Sequence, residues 1–360
     1  MGRLLLPNEP ATSTDLLGSG PLPLAARLEA AQRLLRRCGM CELHCNVDRG
    51  SGERGRCGLS DASLVYKTYL SGNEEAELWP ALRVFLGGCN LRCQFCDEAP
   101  DAFRTDLGRR VTPAQLGAEL SQAVQRGVKT ISLLGGEPTI HAHTILALAA
   151  AAPRRLPLAL NTNMYTTPIV LDLLDGVVDW YLADFKFGND ACARRIADIP
   201  NYTAIVRRNL RLATARANVI VRHVLLPGHL ECCFRPIVDW LDESLPGTRF
   251  QLYPGYVPCG VGGDDPVLGR LNTPDEVRAA EAYLRKTSLR TAAASPHADP
   301  PGAPASAAGA GDVTITLGVD GHVYCHDLAP EVSAALAALR RDAGRVEASQ
   351  ATRAIGEETA

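Results

Sequence analysis

The 360-residue chain has no apolar run of the ~18 residues that a membrane-spanning helix needs; "TILALAAAAP" falls short and is cut at Pro153. It has no excess of charge of either sign. Its 37 basic and 40 acidic residues leave −3, which gives no electrostatic reason for a nucleic-acid partner. The Met-Gly-Arg-Leu-Leu-Leu start lacks the basic region and cleavable apolar stretch of a secretory leader. Together these absences lead us to expect a soluble, cytoplasmic protein with neither nucleic acid nor membrane as partner. A hydrophobic content of 46% is that of an ordinary globular chain, long enough for one barrel-sized domain with appendages.

What the chain does have is cysteine, 12 in all. In a reducing compartment these are expected as metal ligands, catalytic thiols or small buried hydrophobes rather than disulfides. They fall in groups. Cys38, Cys41, Cys45 and Cys57 form the first, Cys89, Cys93 and Cys96 the second; Cys232 and Cys233 are adjacent, and Cys192, Cys259 and Cys325 are scattered.

Between about residues 80 and 286, short apolar runs alternate with helical patterns. "LRVFL", "TISLL", "PLALN", "DWYLADFK", "NVIVRHVLL" and "RFQLY" read as parallel strands buried on both faces. Three helices are expected to begin at Thr112-Pro113, Thr167-Pro168 and Thr273-Pro274, each a hydroxyl cap followed by proline at the first helical position. Six strand–helix units imply a parallel α/β sheet with its chemistry at the carboxyl ends of the strands. Polar residues do follow the strands there: Gly-Gly-Cys, then Gly-Gly-Glu-Pro, then Asn161-Thr162-Asn163, then Asp184 and Lys186, then Arg222-His223. We therefore expect an amino-terminal extension (1–79) with the first cysteine group and a barrel domain (80–286). An Ala/Pro-rich linker (287–311) and a terminal hairpin, helix and tail (312–360) follow.

In "GGCNLRCQFCDEAP" three cysteines are spaced CxxxCxxC with no fourth at short range. Thiolates on a tight loop hold three corners of a [4Fe–4S] cube and leave one iron for a non-protein ligand; a zinc site completed from elsewhere is the alternative. With "GGEP" after the next strand, the chain resembles the radical S-adenosylmethionine (SAM) superfamily, within it the homologues of pyruvate formate-lyase activating enzyme, through "NTNMY", "YLADFK" and "VRHVLLPGHLECCFRP". The resemblance implies a partial (β/α)6 TIM-type barrel. It implies that Cys89, Cys93 and Cys96 bind a [4Fe–4S] cluster whose open iron is chelated by SAM. Reductive cleavage of SAM then yields a 5′-deoxyadenosyl radical that abstracts hydrogen. It places Phe95 against the adenine, and Gly135, Gly136 and Glu137 at the SAM amino group. Asn161 and Asn163 fall at the ribose or carboxylate, with Asp184, Lys186, Arg222 and His223 also touching SAM. A protein or peptide substrate is implied, a glycyl residue of a partner enzyme being one target, with an electron donor of the flavodoxin or ferredoxin type. A small molecule or ribosomal peptide is the alternative substrate, and a non-catalytic metal scaffold the alternative class.

Four features stand outside that pattern. Cys38, Cys41, Cys45 and Cys57 suit either a second [4Fe–4S] cluster or a structural zinc, with His44 a possible substitute ligand. Side chains of adjacent residues diverge, so Cys232 and Cys233, beyond His229 and Glu231, are expected to divide between a buried structural thiol and a substrate-contacting or redox thiol. Asp97-Glu98-Ala99-Pro100 replaces what relatives carry after the third cysteine, and its role is open. Cys325, between His322 and His326, is expected as a buried hairpin residue.

Overall fold

A computed structural model describes residues 22–291, apart from 72–74, 76 and 152–155. The linker beyond 291 and the expected terminal hairpin with Cys325 lie outside the described residues. All six strand expectations correspond to observed strands: β2 (Ala81–Leu86), β4 (Thr130–Gly135), β5 (Leu158–Thr162), β6 (Trp180–Asp184), β7 (Asn218–Val224) and β8 (Arg249–Tyr253). They pair parallel in that order. β1 (Leu64–Ser71) and β3 (Arg109–Arg110) add antiparallel at one edge, and β9 (Arg290–Thr291) adds parallel at the other. The nine-stranded order is β3-β1-β2-β4-β5-β6-β7-β8-β9. Six parallel strands with helical crossovers make the partial (β/α)6 barrel.

The helices are α1 (Leu24–Arg36), α2 (Pro113–Gln125), α3 (Ala142–Ala151), α4 (Pro168–Leu174), α5 (Asp190–Ala197), α6 (Tyr202–Thr214), α7 (Arg235–Ser244) and α8 (Pro274–Leu284). Two Thr-Pro pairs act as expected: Thr112 and Thr273 each close a reciprocal capping box, on α2 and α8. Thr167 departs from expectation. Its hydroxyl donates instead to the Gly39 carbonyl at 2.9 Å, because the cysteine-rich segment lies against the start of α4 and offers a half-buried acceptor.

The strands are buried on both faces, as expected. Leu82, Val84, Leu133, Leu160, Ala183, Val221 and Phe250 face the helices and join the main core. Ala159, Leu182 and Ile220 face the lumen, where Leu78 closes the floor in a small second cluster. Above that floor the strand period of two brings Asn161, Asp184 and Arg222 inward, one strand after another. A barrel must fill its base with side chains, yet leaves its carboxyl rim free for polar groups.

Residues 24–59 share the main core with the barrel: Ala30, Leu34, Met40 and Leu59 pack in it alongside the strands. Arg49, fully buried, donates to the Ser60 and Ile140 carbonyls at 2.8 and 3.0 Å, tying the extension to the loop after β4. The cysteine-rich segment is built into the barrel wall.

Candidate active site

The Cys89–Cys96 loop leaves β2 through Gly87 and Gly88, the latter at φ 87°, where a β-carbon is strained. Its conformation is set by neighbours on every side. Asn90 donates to the Tyr165 carbonyl at 2.9 Å, and Asn163 Nδ2 donates to Asn90 Oδ1 at 2.8 Å. The Arg92 and Gln94 amides donate to the carbonyls of Ala197 and Ile196 at the end of α5, at 3.1 and 2.9 Å. From above, Gly262 N donates to the Gln94 carbonyl at 2.8 Å and Cys259 Sγ to that of Phe95 at 3.3 Å. The three thiols are partly buried, and burial pushes all three up: Cys93 to about 11, and Cys89 and Cys96 well above the ordinary thiol value. Lys186 opposes this at Cys93.

Gly135 and Gly136 carry a tighter constraint than the resemblance implied. A β-carbon on Gly136 would stand 2.0 Å from the Gly88 carbonyl oxygen; one on Gly135, at φ 101°, would stand 2.7 Å from that of Leu86. The close approach they permit is to the cluster loop itself, sealed by Gly136 N to Leu86 O at 2.7 Å and Glu137 N to Gly88 O at 2.9 Å. Glu137 is fully buried. Its Oε1 accepts from Thr139 N, Thr139 Oγ1 and Thr162 Oγ1, and its Oε2 from Asn163 N at 2.8 Å. Burial pushes this carboxyl up despite those donors.

At the rim, Phe95, Asp184, Lys186, Arg222 and Val224 line one small cavity. Lys186 Nζ sits 2.8 Å from Asp184 Oδ2 and 6.0 Å from the Phe95 ring centre. Burial alone would lower this ammonium, but Asp184 and the Cys93 sulfur push it up, so it stays charged. Arg222 binds the Tyr253 hydroxyl and faces Glu75 at 3.6 Å. Asn161 Oδ1 is buried with no hydrogen-bond partner among the described residues. His223 follows Arg222 and so points to the opposite face. It is buried against Phe234, Nδ1 donating to the Phe185 carbonyl at 2.7 Å and Nε2 lacking a partner among the described residues. The structure brings Phe95, Asp184, Lys186 and Arg222 together; it leaves His223 behind the wall and Asn163, just after β5, bonded to the cluster loop.

A family model, the radical SAM superfamily, matches residues 84–241. The uncharacterized protein MJ0674 of Methanocaldococcus jannaschii is 32% identical over 282 residues, 76% of this chain and 82% of its own. The chain belongs to the radical SAM superfamily. A 7-carboxy-7-deazaguanine synthase of Methanopyrus kandleri is 28% identical over 237 residues, covering 60% of this chain and 87% of its own. A domain of a pyruvate-formate lyase-activating enzyme from Bacteroides vulgatus is 19% identical, covers 44% of this chain and 96% of its own, and superposes with a TM-score of 0.36.

As a radical SAM protein it is an enzyme that works with a [4Fe–4S] cluster and SAM. The residues present fit that pair. Of the three thiols on one loop, those of Cys89 and Cys93 face a charged lysine, and an orphaned amide oxygen on Asn161 stands on the strand next to the Asp184–Lys186 pair. Among the described residues no helix is long and apolar enough to cross a membrane.

The segment Asp97–Pro100 finds its place here. Glu98 accepts from the Tyr66 hydroxyl at 3.0 Å and faces Lys67 at 3.7 Å, fastening the end of the cluster loop to β1. From the cluster loop, Arg92 donates to the carbonyls of both Cys89 and, in the extension, Arg56, so one guanidinium spans the two cysteine groups. Cys41 is pushed up to about 12 by burial, with the neighbouring Cys38, Cys45 and Cys57 adding to the shift.

One group escaped the sequence reading: Cys192, His229, Cys232 and Cys233 stand with their ligand atoms all within 4.8 Å of one another. The separations of 37 and 40 residues hid it. The one hint was "GHLECC", whose adjacent cysteines sit on a turn of π-helix, Leu230–Phe234, with sulfurs 4.0 Å apart rather than diverging.

Proposed function

We propose that Cys89, Cys93 and Cys96 ligate the [4Fe–4S] cluster and that the rim groups Phe95, Asn161, Asp184, Lys186 and Arg222 hold SAM. When bound, the reduced cluster and SAM supply a 5′-deoxyadenosyl radical that takes a hydrogen atom from the substrate. The observation that carries this reading is the approach of the cluster loop, through Cys89 and Cys93, to the Lys186–Asp184 pair at the carboxyl rim of the barrel. Burial disfavours free thiolates there, so the cysteines give up their protons on binding metal rather than before it. Lys186 and Asp184 present a cation and an anion side by side, a pattern suited to the carboxylate and ammonium of a methionyl group. Glu137, with four protein donors, and Asn163, bonded to Asn90, act as positioning residues that hold the cluster loop. His223 positions Lys186 from behind through the Phe185 carbonyl.

The substrate in this reading is a protein or peptide. It is supported by the motifs "NTNMY", "YLADFK" and "VRHVLLPGHLECCFRP", which resemble those of the activating-enzyme homologues. An electron carrier of the flavodoxin or ferredoxin class reduces the cluster. A second reading, a small-molecule substrate, is favoured by the relatives that are 7-carboxy-7-deazaguanine synthases. The four extension cysteines take a second [4Fe–4S] cluster in preference to zinc. Cys38, Cys41 and Cys57 are buried and Cys45 half-buried, and a cube spreads its thiolates over four irons.

The experiment is anaerobic reconstitution followed by dithionite and SAM, with 5′-deoxyadenosine as the readout. No product above a Cys93→Ala control would sink the enzyme reading. Extract fractions that stimulate turnover then separate the substrates. Activity destroyed by protease supports a peptide or protein, and activity surviving in the low-mass filtrate supports a small molecule.

A further inference from the structure

Cys192 lies in the first turn of α5, and His229, Cys232 and Cys233 lie between β7 and α7, so two successive crossovers meet at this point. His229 Nδ1 is 3.6 Å from Cys192 Sγ, 3.2 Å from Cys232 Sγ and 3.6 Å from Cys233 Sγ. Cys232 Sγ is 3.9 Å from Cys192 Sγ and 4.0 Å from Cys233 Sγ. Zinc bonds sulfur at about 2.3 Å and imidazole at about 2.0–2.1 Å. A tetrahedron of those bonds sets its donors about 3.8 Å apart for sulfur pairs and about 3.6 Å for sulfur and nitrogen. The donors already stand at about those spacings. They are far outside the ~2.05 Å of a disulfide, and too crowded for a cube that assigns each thiolate its own iron.

The surroundings are those of a built site. Asn189 Oδ1 accepts from Cys192 N at 2.8 Å while its Nδ2 donates to the Cys232 carbonyl at 2.7 Å, locking the two crossovers together. Gly188 admits no β-carbon, which would stand 2.3 Å from the Cys233 carbonyl oxygen. Cys233 and His229 are buried, Cys192 and Cys232 half-buried, so an ion enters from solvent and is then enclosed. Three thiolates, a neutral imidazole and Zn²⁺ sum to −1. Arg195, whose guanidinium is 3.2 Å from His229 Nε2, balances that charge. With metal on Nδ1 the ring proton sits on Nε2. Arg195, half exposed, then swings aside and Asp265, already paired with it at 3.3 Å, becomes the acceptor.

The geometry points to a structural zinc site formed by Cys192, His229, Cys232 and Cys233. Four protein donors leave the ion no open position, so its role is to brace rather than to react. What it braces is α5. The far end of that helix holds the Cys89–Cys96 loop through the Ala197 and Ile196 carbonyls.

The test counts zinc and iron per chain in the full-length protein purified without air. We compare wild type, a Cys38→Ser/Cys41→Ser variant and a Cys192→Ser/Cys232→Ser variant. The expected result is about one zinc in wild type and in the first variant, with none in the second. Iron should fall in the first variant and hold in the second. Cobalt substituted into wild type should give a thiolate charge-transfer band that the second variant lacks. Zinc unchanged in the second variant, zinc lost with Cys38 and Cys41 instead, or iron and sulfide at this site would each overturn the inference. If the second variant does not fold, stripping folded wild type with a mercurial decides it: release of about one zinc supports the site, and release of none overturns it.

Discussion

Two cysteine sites stand at opposite ends of one short helix. At the carboxyl end of α5, Cys89, Cys93 and Cys96 come from eight consecutive residues; near its amino end, Cys192, His229, Cys232 and Cys233 come from two crossovers. The first has three donors on one loop, and the charged Lys186 faces Cys93. The second has four donors drawn onto one point and no vacancy. An incomplete set at a strand terminus is a place for chemistry, whereas a complete set between crossovers is a brace. Emptying the two sites should therefore do different things.

The largest effect is expected from Cys93→Ala: 5′-deoxyadenosine formation falls to background and about four irons are lost per chain, with zinc unchanged. The contrast sharpens with Cys232→Ser. Loss of a ligand bound at 100 times its dissociation constant costs about 2.7 kcal/mol. The unfolding midpoint should fall accordingly, with 5′-deoxyadenosine formation reduced but still above the Cys93→Ala level. If Cys232→Ser abolished turnover and left stability untouched, the division into reacting site and brace would break. Gly136→Ala comes next. Its β-carbon has no space against the Gly88 carbonyl, and something on the order of 2 kcal/mol of strain is expected. That strain should appear as poor iron loading at the Cys89–Cys96 loop, with zinc unaffected.

The unequal legibility of the two sites has a physical origin. CxxxCxxC and GGEP are local patterns, and six apolar runs are enough to order the strands, so the barrel and its cluster loop could be read directly. The period of two within those strands was visible too, but it took the curvature of the sheet to show that Arg222 faces the rim and His223 the helices. Thr167 repeats the Thr-Pro signal of Thr112 and Thr273, yet a tertiary acceptor on Gly39 captures its hydroxyl. Glu98 is a loop residue in sequence and an anchor to Tyr66 and Lys67 in space. The Cys192 site needed two events that no spacing announces: a π-turn that turns adjacent sulfurs inward, and the meeting of neighbouring crossovers.

The smallest expected effect separates the sites by proton rather than metal. His141 is buried behind the cluster loop, Nε2 donating to the Gly87 carbonyl at 3.0 Å and Nδ1 accepting from Ser63 Oγ at 2.7 Å. His223 is buried on the other side of the site, and burial lowers it to about 4 and His141 well below its ordinary value. Each is neutral when folded and takes a proton near pH 6.5 when unfolded, so each contributes stability that is intact above pH 6.5. That stability declines as pH falls and is exhausted once the folded-state value is passed, about 4 for His223. Between pH 7 and 6 the decline amounts to about 0.7 kcal/mol per histidine. Denaturation midpoints of anaerobic protein at the two pH values measure it, and His141→Gln should remove about half of the pair's contribution. The His141→Gln variant keeps a donor for Gly87 but no titrating group. An unchanged slope in it would show that His141 titrates alike in the folded and unfolded protein, against the lowering that its burial imposes.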